Sequence, residues 1–161
     1  MRIKRSRPQS RPLKALSITL LVVVAVALPR SAAAELGGNV ASIAQDQAQM
    51  QAKLKVARAG MYTLHEMRAA TGTVVREYVS SAGTVFAVAW QGPWIPDMRQ
   101  LLGPYFEQYS RAAKAPRSGH GPLLISEPGL VVQVAGHQRS FAGRALLPQM
   151  VPAGVAVESL R

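Results

Sequence analysis

The stretch from Thr63 to Trp90, TLHEMRAATGTVVREYVSSAGTVFAVAW, repeats Gly-Thr-Val among three runs rich in Val, Thr, Tyr and Phe. YTLHEMR, TVVREYV and TVFAVAW have strand composition, and the gaps between them, Ala70-Thr71-Gly72 and Ser81-Ala82-Gly83, both end in Gly. A three-residue hairpin loop wants its last residue in the left-handed region, which Gly enters without steric cost. The echo is therefore two similar turns, and the segment is expected to be a three-strand antiparallel meander.

Loop length sets the register. If Ala69 opposes Thr73, then Glu66 faces Arg76 and His65 faces Glu77. One face should carry Leu64, Val74, Tyr78, Phe86, Val88 and Trp90 around Glu66 and Arg76. The other should carry Met67, Val75, Val79, Val85, Ala87 and Ala89 around His65 and Glu77, its small residues letting a helix approach closely.

Before the meander, Asn39 reads as the cap of a helix through VASIAQDQAQMQAKLKVARA, with Val40, Ile43, Met50 and Leu54 on one stripe. After it, Pro96-Asp97 should open a second helix through MRQLLGPYFEQYSRAA, broken or kinked at Gly103-Pro104. KAPRSGHG reads as a basic loop. PLLIS, LVVQVA and QRSFAGRALL read as three further strands, with turns at Pro128-Gly129 and Gly136-His137, and the tail after Pro148 has little periodicity. The expected class is α+β: an antiparallel sheet of meander and C-terminal strands, packed by an N-terminal helix and a middle helix.

The N-terminus has a different character. Six basic residues from Arg2 to Lys14 precede the apolar run ALSITLLVVVAVAL, and Ala32 and Ala34 in SAAAE follow it as a small-x-small site. The run of 14 residues is shorter than the about 20 that span a membrane. Residues 1–34 are expected to be a signal peptide cleaved after Ala34, with residues 35–161 one α+β domain in the periplasm or outside the cell. An uncleaved anchor is the other reading, and Glu35 or Met1 as the N-terminal residue separates the two. Seven of the 19 basic residues lie before Glu35, so 12 remain against 8 acidic ones, a charge of +4. That balance suits solubility and is not the footprint of a nucleic-acid binder.

The chain has no Cys, which removes disulfides, a thiol nucleophile and thiolate metal sites together. His65 to Ala69, HEMRA, begins like a zinc-protease motif, but Ala69 stands where the second His would be. His120 and His137 have no metal-ligand spacing, and no nucleophile elbow or phosphate loop occurs. Neither metal nor cofactor is expected. The only catalytic candidates are His65 and Glu77, a carboxylate able to orient an imidazole as a general base requires. Their other role is a cross-strand pair that fixes register, as Glu66 and Arg76 would be. Trp94, between two prolines, is a candidate stacking platform for a sugar ring or peptide. Arg111, Lys114 and Arg117 are candidates for meeting an anionic polymer or headgroup.

Two segments, TLHEMRAATGTVVREYVSSAGTVFAVAWQGPWIPDMRQLLGPYFEQY and PGLVVQVAGHQRSFAGRALLPQMVPAGV, resemble the bacterial secreted family known as domain of unknown function 2844. The similarity runs from about Leu36 over nearly all of the chain that follows. It implies export and a single intact domain, and assigns no activity or catalytic residue. The expected function is that of a small, exported, non-catalytic module that binds an envelope protein or polymer, touching the membrane only through its signal peptide. The alternative is a small envelope hydrolase or isomerase using His65 and Glu77.

Overall fold

The computed structural model describes residues 35–116 and 121–161. The expected signal peptide, Arg117 and His120 lie outside the described residues. Seven antiparallel strands form one sheet in the order β1-β2-β3-β4-β7-β6-β5. They are β1 (Lys53–Ala59), β2 (Tyr62–Arg68), β3 (Val74–Ser80), β4 (Val85–Gly92), β5 (Leu123–Glu127), β6 (Leu130–His137) and β7 (Ser140–Leu146). The chain leaves β4, crosses one face through α2 (Met98–Leu102) and α3 (Phe106–Lys114), enters at the far edge as β5 and returns to pair β7 with β4.

The meander has its expected turns. In each loop the closing residues are joined by their main chains, Ala69 N–H donating to Thr73 O and Ser80 N–H to Thr84 O, both at 2.9 Å. Gly72 and Gly83 hold the left-handed position at φ 88° and 80°. His65 therefore lies opposite Glu77, and Glu66 opposite Arg76.

The expected faces fail at one residue. Val79 pairs with Val85, but Tyr78 pairs with Ala87, so Phe86 is an extra residue that bulges β4. Beyond the bulge, Val88 faces Glu77 and Trp90 faces Val75, on the side of His65, whereas Ala87 and Ala89 join Tyr78. The helices accordingly pack on Val88 and Trp90 with Leu101, Leu102, Tyr105 and Phe106, not on the small alanines.

The N-terminal helix is shorter than its apolar stripe suggested. A 3-10 turn over Val40–Ser42, capped by Asn39 Oδ1 accepting from Ala41 N–H at 2.8 Å, leads into α1 (Ile43–Gln49). Gln51 at φ 48° then ends the helix, and KLKVARA continues as β1, with Leu54 opposite Met67 and Val56 opposite His65. Gly60 at φ 58° and Met61 join β1 to β2, the pattern of a II′ hairpin turn with Gly at its first central position.

The middle helix breaks where expected. Asp97 Oδ1 accepts from Arg99 and Gln100 N–H, and Gly103-Pro104-Tyr105 forms a 3-10 step between α2 and α3. The basic loop begins later than expected, since α3 includes Lys114. The last hairpin also shifts: β6 runs through His137 and the turn is Gln138-Arg139, not Gly136-His137. Gly136 is instead a strand position where the main chain of Ser140 and Phe141 comes too close for a Cβ.

The aperiodic tail covers part of the opposite face. Leu160 is buried against Tyr78, Phe86, Ala87, Ala89 and Leu146, with Val151, Val155 and Val157 beside it. Tyr78 Oη donates to the main-chain oxygen of Arg161 at 2.9 Å and accepts from Arg161 N–H at 3.0 Å, which pins the end of the tail.

Candidate functional site

His65 and Glu77 lie under the helix-covered face, 8% and 0% exposed. Across the strands His65 sits between Val56 and Glu77, and Glu77 between His65 and Val88. No hydrogen bond joins the two side chains. Neither lines either of the cavities described below. Burial lowers the imidazole pKa below its ordinary 6.5, so His65 is neutral at neutral pH, whereas a general base positioned by a carboxylate would be raised.

That burial has a pH signature. As pH falls below about 6.5 the unfolded chain binds the proton before the folded one does, so stability declines on acidification and levels off below the folded-state pKa. Denaturant melts between about pH 7 and 5 should show the decline in the wild type and a flatter profile in His65→Gln. Parallel profiles would contradict it.

The Glu66 and Arg76 pair forms an ion pair, Arg76 Nε donating to Glu66 Oε2 at 2.9 Å. Arg76 Nη1 also donates to the main-chain oxygen of Arg161 at 3.2 Å, so the pair belongs to the tail clasp. Tyr78 beside it has a raised pKa, first because it is buried.

The sheet face that the tail covers only in part holds a groove of about 540 Å³. Cross-strand pairing places Gln91, Ala142 and Ala135 in one row, and Arg144, Gln133 and Leu124 in the next. All six line the groove, and Glu158, Leu160 and Arg161 of the tail form its wall. Leu124 is 63% exposed, and both alanines are exposed. Arg144 ties floor to wall: Nε donates to Gln133 Oε1 at 2.8 Å, and Nη1 to Val157 O at 2.7 Å. The result is a floor with apolar patches and polar rungs, chemistry suited to holding a ligand.

A second cleft of about 450 Å³ lies between the segment leaving β4 and the Gln138-Arg139 turn, lined by Trp94, Pro93, Ile95, Gln138, Arg139 and Phe141. Trp94 is 58% exposed. Arg111 and Lys114 are exposed on the last turn of α3 and line neither cavity, so the structure does not bring them to Trp94. Arg117 falls outside the described residues. The groove residues are not legible in the sequence because β4, β5, β6, β7 and the tail each contribute only two or three unremarkable side chains. The nearest sequence signal was Leu124, an apolar residue on the solvent side of an edge strand.

Among the described residues, no group of three or more His, Cys, Asp or Glu is placed to hold a metal ion, and no helix is long and apolar enough to cross a membrane. No curated protein and no solved structure matches the chain. The family model described as protein of unknown function (DUF2844) matches residues 32–160, and the chain therefore belongs to that family.

Proposed function

We propose that the protein is an exported, non-catalytic binding module of the bacterial envelope, and that the partly uncovered sheet face receives its partner, an envelope protein or polymer. The supporting observation is the groove itself. The helices cover one face and the tail covers part of the other, yet Leu124, Ala135 and Ala142 remain exposed beside polar Gln91 and Gln133. An apolar floor with a few fixed polar groups is the usual composition of a ligand site. Export is supported by the basic and apolar segment before Ala34.

The test is chemical crosslinking in cells expressing the tagged full chain, followed by mass spectrometry. The processed protein should begin at Glu35 and capture a reproducible envelope component. Leu124→Glu and Ala135→Glu, at exposed positions, should leave folding intact and diminish the capture. Recovery equal to that of an unrelated exported protein, or unaffected by both substitutions, would contradict the reading.

A further inference from the structure

The second cleft is bounded on one side by the β6–β7 turn. Arg139 occupies the left-handed position of the β6–β7 turn at φ 61°, where Gly would be unstrained. The turn demands a positive φ, and with Arg rather than Gly in that position it also carries a guanidinium on the wall of the cleft. Among the described residues Arg139 is also the sole charged one lining the cleft that contains Trp94.

Trp94 is held at the surface on a stiff support. Thr73 Oγ1 donates to its main-chain oxygen at 2.9 Å, and Gly92 just before it packs so closely that a Cβ would lie 2.5 Å from Thr73 Cα. Pro93 and Pro96 fix the backbone on either side. An exposed indole on a backbone held in this way offers a flat apolar surface at a reduced ordering cost on binding.

We infer that this cleft binds an acidic sugar ring, a pyranose bearing a carboxylate. The apolar C–H face of the ring stacks on Trp94, Arg139 takes the carboxylate in a charge-assisted hydrogen bond, and the Gln138 amide serves neighbouring hydroxyls as donor and acceptor. A cleft of about 450 Å³ suits a small ligand. A protein partner would need about 800 Å² on its side, whereas the large exposed apolar side chains here are only Trp94 and Ile95.

The chain has two tryptophans, Trp90 buried and lining the sheet groove and Trp94 exposed in the cleft, so an emission change that Trp94→Ala abolishes reports on the cleft. Purified protein is titrated with oligogalacturonate, with neutral malto-oligosaccharide and with oligoglutamate, followed by emission and calorimetry. Oligogalacturonate should bind saturably and the other two much more weakly. Trp94→Ala and Arg139→Gly should each weaken binding about tenfold or more, while Arg139→Gly leaves the melting temperature unchanged or raises it. Leu124→Glu, in the sheet groove, should leave this binding unchanged, which separates its failure from that of the proposed module. Absence of saturable oligogalacturonate binding, equal binding of the neutral sugar, or indifference to both cleft substitutions overturns the inference. Oligoglutamate binding as tightly with the same dependence on Arg139 overturns the sugar assignment in favour of a peptide carboxylate.

Discussion

Trp90→Ala is expected to lower the unfolding free energy by about 3–5 kcal/mol, a large part of the roughly 5–15 kcal/mol that holds a domain together. Trp90 is 2% exposed, and its ring lies where a Cβ on Gly143 would be, so β7 has a glycine opposite to make room for the indole. Its Nε1 is buried and makes no hydrogen bond. That orphaned donor makes the prediction sharper. Trp90→Phe loses volume but also removes the unpaired N–H, whose burial costs about 1–3 kcal/mol, and should cost far less than Trp90→Ala. Gly143→Ala should cost about 1–3 kcal/mol by overpacking, and less on the Trp90→Phe background. Equal losses for Trp90→Phe and Trp90→Ala in urea titrations would contradict this packing.

Leu160→Ala should cost about 2–5 kcal/mol, although Leu160 lies in a segment with little regular structure. A side chain outside regular structure is ordinarily dispensable. Leu160 is different because it is 1% exposed and seals Phe86, Tyr78 and Leu146, with Arg161 clasped by Tyr78 just beyond it. Loss of the leucine should also loosen the groove wall, making the tail cleavable by protease under native conditions while the sheet persists. A loss below about 1 kcal/mol with a protected tail would show that the clasp, rather than the leucine, holds the segment.

The legible parts of the fold were those with local rules. Gly72 and Gly83 fixed both loops, and loop length alone placed Glu66 opposite Arg76. The bulge at Phe86 was illegible because VFAVAW is apolar throughout and buried on both faces, so no alternation marks a slipped residue. KLKVARA fitted a helix stripe through Leu54, and the competing alternation of Leu54 with Val56 decided only once Gly60 had closed a hairpin. The tail is illegible in the sequence because its order comes from contacts with distant strands rather than from any period. The same reason hid the groove, whose Gln91, Leu124, Arg144 and Leu160 meet only after the sheet has formed. Trp94 was visible as a candidate from its prolines, while Arg139 was not, since a strained φ leaves no trace in the sequence.

The most direct test of the binding face is a photo-activatable residue placed at position 124, in the groove, compared with one at position 58, exposed near the end of β1, in cells expressing the full chain. The account predicts an adduct of defined mass at position 124 that is absent or much weaker at position 58. Adducts of equal yield at both positions, or a defined adduct at position 58 alone, would contradict the assignment of the groove as the surface through which this protein acts.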